Sequence, residues 1–177
     1  MNTPTLRDAI TADLPAISAI YNYYVLHSTC TYQLEPETLA EREAWFAAHA
    51  PDRHPVIVAE LDDSHGNRQV VGWGSLSRFH PRAGYDSTVE ASVYIHHDFH
   101  RRGLGRLLLV ELVNRARALG YHALIGGASA DQTASIALQE SLGFERVGQL
   151  KEVGRKFDRW LDVAYLQVIL ENGDITD

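Results

Sequence analysis

Apolar and polar positions change period repeatedly along the chain, and each change marks an element. Thr5-Leu6-Arg7 reads as a short opening strand. Ile17, Ile20 and Tyr21 then recur at helical spacing, so a helix is predicted from an Asp13 cap, with Pro15 in its first turn, to about Val25. Residues 26–36 show no period and read as a loop. Leu39, Trp45 and Phe46 give the apolar stripe of a second helix over residues 37–48.

Strand signals follow. Residues 55–59 form a buried apolar run, and the stretch around Gly66 is turn-like. Residues 70–79 make a second strand, loosened by Gly72 and Gly74. From Thr88 to Ile95, Val89, Ala91, Val93 and Ile95 share one face while Glu90, Ser92 and Tyr94 share the other. A glycine-rich turn leads into an apolar helix that runs to Leu119 and is closed by Gly120. The remainder predicts a strand at 123–127, a helix at 133–141 ended by Gly143, and strands at 144–150 and 160–170. The order is strand, two helices, three strands, helix, strand, helix, two strands: a mixed α/β chain.

The 177 residues suit one domain. At 45% hydrophobic and 22% charged, the composition is that of a globular protein rather than a disordered chain. A net charge of -7 argues against a nucleic-acid partner, and no apolar run is long enough to span a bilayer. The first residues do not read as a signal peptide, and Cys30 has no partner for an internal disulfide; a cytoplasmic location is therefore expected.

Within this acidic chain, Arg101, Arg102 and Arg106 crowd around Gly103 and Gly105, at the point where a strand gives way to a helix. Free backbone N–H groups at such a helix start, close backbone approach at the glycines and nearby positive charge together suit a small anion. A Walker-type loop is excluded because Arg106-Leu107 follows the last glycine where Lys and Ser/Thr belong. A dinucleotide fingerprint is excluded because its third glycine would fall on Leu108. A pyrophosphate cradle for coenzyme A remains, beside the plain alternative of a turn that starts a buried helix.

The surrounding residues carry more. Thr88-Val-Glu-Ala-Ser-Val-Tyr-Ile95 followed by Arg102-Gly-Leu-Gly105 resembles the GNAT superfamily. More narrowly it is similar to the phosphinothricin/methionine-sulfoximine N-acetyltransferase group. Ser135-Ile-Ala-Leu138, Ser141-Leu-Gly-Phe-Glu145 and the stretch from Gly154 to Asp162 continue the match, as do Thr31-Tyr-Gln-Leu-Glu-Pro36 and Arg82-Ala-Gly-Tyr85 upstream. The chain departs from the family pattern at His100, at Gln132 in place of a common Asn, and at Gln139 in place of a frequent His. Gln139 can serve neither as acid nor as base.

The resemblance implies a GNAT fold with splayed middle strands holding acetyl-CoA. It also implies direct transfer of the acetyl group to the α-amino group of a small amino acid or analogue. Glu90 would be the base, and its setting agrees: a lone carboxylate among apolar strand residues has its pKa raised toward the useful range. Val93, Tyr94, Ile95, His100, Arg101, Arg102, Gly103, Leu104, Gly105 and Arg106 would face acetyl-CoA. Gln132 and Ser135 would do so too, or else cap the helix they begin. For the acceptor, Arg78 and Arg82 offer forks suited to a carboxylate or phosphinate, with Tyr85, Tyr32 and Phe79 as walls. No metal is expected, because His96, His97 and His100 have no neighbouring carboxylate or cysteine pattern to complete a site. The Lys156–Asp162 segment implies a homodimer. The rival readings are acetylation of a protein N-terminus, polyamine or antibiotic amine, and a non-catalytic acyl-CoA-binding module.

Overall fold

A computed structural model describes residues 3–170. The element order follows the sequence prediction: β1 (Thr5–Asp8), α1 (Leu14–His27), α2 (Leu39–Ala47), β2 (Val56–Asp62), β3 (Arg68–Arg78), β4 (Thr88–Ile95), α3 (Leu104–Ala118), β5 (Ala123–Ser129), α4 (Thr133–Glu140), β6 (Glu145–Lys156) and β7 (Arg159–Ile169). The strands form one seven-stranded sheet in the order β1-β2-β3-β4-β5-β7-β6. Every neighbouring pair is antiparallel except β4 and β5, which run parallel. Among the described residues no helix is long and apolar enough to cross a membrane.

Strand alternation sends side chains to two cores. On one face α3 and α4 cover Leu76, Val89, Leu124 and Leu166, with Leu108 and Leu112 of α3 fully buried. On the other, α1 and α2 cover Val56, Val58 and Trp73 with Leu14, Ile17 and Ile20. The glycines of β3 do more than loosen the strand. A Cβ on Gly72 would sit 2.8 Å from Ile95 Cδ1, and one on Gly74 would sit 2.9 Å from Leu112 Cδ1. These two positions let α3 lie hard against the sheet.

Two local expectations are corrected. Asp13 does not cap α1 with its side chain. Its carboxylate takes two bonds from Arg7 at 2.6 and 2.8 Å and one from Ile10 N–H at 2.8 Å, while Arg7 also reaches Glu60 at 2.6 Å. Burial pushes the Asp13 carboxyl up, but these bonds more than offset it and hold it below the usual range. Arg7 thereby ties the start of α1 to β1 and β2. The second correction is β6, which runs on to Lys156, well past the predicted end at residue 150. Register shifts after Arg146 and Leu150 break its alternation, and Asp162 accepts from Glu152 N–H at 2.8 Å to stabilise the second irregularity. Phe157 and Asp158, both with positive φ, form the tight turn into β7.

Because the Gly74 position is closed by Leu112 and by Ser92 O at 3.0 Å, Gly74→Ala is expected to lower stability by about 1–3 kcal/mol. The shift in the urea unfolding midpoint at unchanged slope measures it.

Candidate active site

β4 and β5 pair only along Thr88–Glu90 and Ala123–Ile125, and then diverge. Each keeps its other partner: β4 stays on β3 as far as Ile95, and β5 stays on β7 over its full length. The result is a fork in an otherwise continuous sheet, with Glu90 on its last rung. A cleft of about 370 Å³ opens there, lined by Ala91–Ile95, the turn from His100 to Gly105, Gly126–Ala128, and Gln132, Ser135 and Gln139.

The fork leaves backbone groups free. His96 N–H bonds back to Val71 O on β3 at 2.8 Å. Alternation along the strand therefore turns the N–H groups of Val93 and Ile95 the other way, into the cleft. The Ile95 carbonyl is already claimed by the Tyr24 hydroxyl, which also lies against His100 Nε2. At the cleft's end, Arg101 and Gly103 adopt left-handed φ values of 62° and 78°. This folds the turn so that the unpaired N–H groups at the start of α3 face the cleft. Arg101 lines it. Arg102 instead lies over the Phe99 ring at 4.8 Å, and Arg106 points to Ser141 Oγ at 3.4 Å. Leu104 lines the cleft and is buried in the core at the same time.

Gln132 begins α4 but does not cap it with its side chain. Its Nε2 donates to Thr29 Oγ1 at 2.7 Å, tying the loop after α1 to the cleft wall. Ser135 lines the cleft one turn further on. Gln139 is 6% exposed, and its Oε1 has no hydrogen-bond partner among the described residues. It fits only because its neighbour is glycine: a Cβ on Gly126 would stand 1.9 Å from Oε1. Cys30 also lines the cleft, and burial pushes its thiol up, keeping it protonated.

Glu90 projects from the opposite face of β4 to Val89 and Ala91, toward Gly127, where a Cβ would come within 3.4 Å of its carboxylate oxygen. Burial pushes its carboxyl above the ordinary glutamate range, as expected from its apolar neighbours. Ser77 of β3 lies directly across from it. On this face, under α1 and α2, a second cavity of about 190 Å³ is lined by Tyr21, Glu37, Arg42, Trp45, Trp73, Ser75 and Ser77. It shares Ser92 and Tyr94 with the cleft. Tyr94 stacks on Trp73 at 4.8 Å and so forms the partition between the two spaces.

The five residues expected to hold the acceptor line neither space. Arg78 pairs with Asp86 at 2.8 Å, Arg82 is exposed, and Phe79 meets the exposed Tyr85 at 5.9 Å. The chain leaves the end of β3 at Arg78 and returns only at Thr88, so this segment hangs beyond the sheet. Tyr32 donates to Asp162 O at 3.1 Å and packs on Gly154, joining the loop to the β6–β7 hairpin. The reasoning against a metal is also corrected: Asp98 lies 3.7 Å from His97 Nε2 and 4.0 Å from His96 Nδ1, so a carboxylate does neighbour the histidines. Sequence reasoning singled out none of Glu37, Arg42, Trp45 and Trp73 as lining a cavity. Their only signal was aromatic residues recurring near one arginine, which reads equally as core.

A sheet that forks beside a partly buried carboxylate, with an anion-binding helix start at the fork's end, defines a transferase that holds an acyl carrier between two strands. Comparison with known proteins agrees. The chain belongs to the acetyltransferase (GNAT) family, whose sequence profile matches residues 18–144. It is 43% identical over 167 residues to the L-methionine sulfoximine/L-methionine sulfone acetyltransferase of Pseudomonas paraeruginosa, covering 94% of this chain and 95% of that protein. To the phosphinothricin N-acetyltransferase of Alcaligenes faecalis it is 36% identical over 173 residues, covering 97% and 85%. The phosphinothricin acetyltransferase of Sinorhizobium meliloti, solved in complex with acetyl-CoA, superposes with a TM-score of 0.89 at 39% identity, covering 99% of this chain and 92% of that one.

Gly103→Val places a β-branched residue at a φ of 78°. It is expected to weaken acetyl-CoA binding by about tenfold or more, as each 1.4 kcal/mol of turn strain is a factor of ten; calorimetric titration with acetyl-CoA checks this.

Proposed function

We propose that the chain is a single catalytic domain that moves the acetyl group of acetyl-CoA to the α-amino group of a small amino-acid analogue of the methionine sulfone, methionine sulfoximine or phosphinothricin type. The observation that carries this is Glu90 on the last rung of the fork, its carboxylate facing Gly127 of the cleft wall.

The cleft suits an extended chain of amides ending in a diphosphate. The N–H groups of Val93 and Ile95 pair with amide carbonyls and polarise the thioester carbonyl. The start of α3, with Gly103 and Gly105 and the charge of Arg101, takes the diphosphate. Gln132 and Ser135 flank it from α4, and His100 holds the turn through Tyr24. Acetyl-CoA supplies an activated acyl group when bound; the chain's task is to deliver a neutral amine to it.

That task falls to Glu90. An α-ammonium ion has a pKa of about 8 and must lose a proton before it can attack. A carboxylate desolvated at the fork takes that proton more readily than an exposed one. Gln139 titrates at no accessible pH and so takes no part in proton transfer. We further infer a homodimer formed through β6–β7, which is supported by exposed Val147, Leu150, Val153, Phe157 and Trp160 beside the edge strand β6. The lone, thiol-form Cys30 suits a reducing cytoplasm.

Glu90→Gln is expected to lower kcat/KM by about 10² to 10⁴ while leaving acetyl-CoA affinity unchanged. In the unsubstituted enzyme kcat/KM rises with pH as Glu90 loses its proton, at a pH above the ordinary glutamate value because burial raises its pKa. The variant loses that lower inflection and keeps the one belonging to the amine. A pH series with methionine sulfone, following release of free thiol, reads both. Trp160→Asp is expected to give a monomer by light scattering.

A further inference from the structure

The inner end of the cleft is closed by a single side chain. Ala91 and Gly126 are the first residues of β4 and β5 beyond their last paired rung, and both line the cleft. Ala91 packs against the core under α3, and alternation puts Gly126 on the same face as the buried Leu124 and Ala128. Two such small residues leave room above the sheet, and Gln139 of α4 takes it. A Cβ on Gly126 would stand 1.9 Å from Gln139 Oε1, 2.8 Å from its Cδ and 3.4 Å from its Nε2. The amide therefore occupies the volume that a β5 side chain would otherwise fill. Its base is fixed as well. The Gln139 carbonyl accepts from Leu142 N–H at 3.0 Å and from Phe144 N–H at 3.1 Å, which ties the end of α4 to the turn into β6.

We propose that Gln139 sets the length of the acyl group transferred, closing the inner end of the cleft so that an acetyl group fits and a longer chain does not. The inference rests on the acetyl-CoA reading given above. In that reading the diphosphate lies at the start of α3, and the N–H groups of Ile95 and Val93 meet the amides and the thioester carbonyl in turn, moving inward. A strand rises about 3.3 Å per residue, so roughly 10 Å separates Val93 from the last rung at Glu90. The thioester carbonyl, the acyl chain and the Gln139 amide share that length.

The bond changes are the same for any acyl donor. The amine nitrogen bonds to the carbonyl carbon and the C–S bond breaks; one amine proton goes to Glu90 and the other to the departing sulfur. Chain length enters only through space. A methyl group ends short of the amide, whereas further methylenes must displace Gln139 from a close-packed position. Gln139 Oε1 has no hydrogen-bond partner among the described residues, and an alkyl chain pressed against it brings none. The role needs no accessible atom, since a side chain that closes a cleft is buried by closing it.

The test is steady-state acylation of methionine sulfone by the full chain with acetyl-CoA, propionyl-CoA and butyryl-CoA. The unsubstituted protein is compared with Gln139→Ala and with the double variant Gly126→Ala, Gln139→Ala. Ratios of kcat/KM for two donors on one preparation do not depend on the fraction folded. The unsubstituted protein should favour acetyl-CoA over butyryl-CoA by about a hundredfold or more, because a methylene that a pocket cannot take is worth about tenfold or more. Gln139→Ala should narrow that preference by about tenfold, through butyryl-CoA rather than acetyl-CoA. Adding Gly126→Ala returns a methyl group to the emptied space and should widen the preference again, which a merely structural role for Gln139 would not do. Equal use of the two donors by the unsubstituted protein, or a ratio unchanged in Gln139→Ala, would overturn the inference alone. Turnover of polyamines or peptides in place of methionine sulfone would overturn the amino-acid reading alone, because the same ratios are then read with that amine. No acyl transfer to any amine would overturn both.

Discussion

Parallel pairing between β4 and β5 stops at Glu90 and Ile125, and the chemistry of the molecule is arranged around that stop. Each half of the sheet is complete on its own, since β4 is anchored along β3 and β5 along β7. The gap is therefore held open by two rigid half-sheets rather than by a flexible loop. Buried backbone groups without partners are unfavourable, and those lining the fork are met either from within, as Tyr24 meets Ile95 O, or by a ligand threaded between the strands. Placing the carboxylate on the last rung puts it at the boundary between paired and unpaired backbone, where it is desolvated without being sealed off.

One strand thus organises two spaces. The inner face of β4, packed on α3, fixes the strand's position through Val89, and the close approach at Gly72 and Gly74 keeps α3 and its anion-binding start in register with the fork. The outer face carries Glu90, Ser92 and Tyr94 in sequence. The aromatic wall of Tyr94, Trp73, Trp45 and Tyr21 is stiff because each ring is braced by another or by Arg42.

The fold was largely legible in the sequence because its elements carry clean periods. β6 was not, since two irregularities interrupt its alternation. Most residues that line the cleft were legible for a different reason: glycines and a helix start after a strand are local signals. The second cavity depends on contacts between distant segments. In the same way no local feature shows that Asp86, eight positions on, folds back onto Arg78. Arg42 and Glu37 looked like ordinary positions near a helix start, and only the packing of α2 over β3 turns them inward against Trp73. Asp13 looked like a cap because Asp usually is one at a helix start; a strand arginine outcompeted the helix for it.

Ser92 and Tyr94 touch both cavities, so neither can be exchanged without disturbing the partition between them. Tyr24 of α1 and Cys30 after it line the cleft, whereas Arg42 and Trp45 of α2 line the second cavity alone. The sheet thus carries residues bound to both spaces at once, and α2 forms a panel that faces one. A change on α2 reshapes a single chamber, while a change at Ser92 or Tyr94 is felt in both.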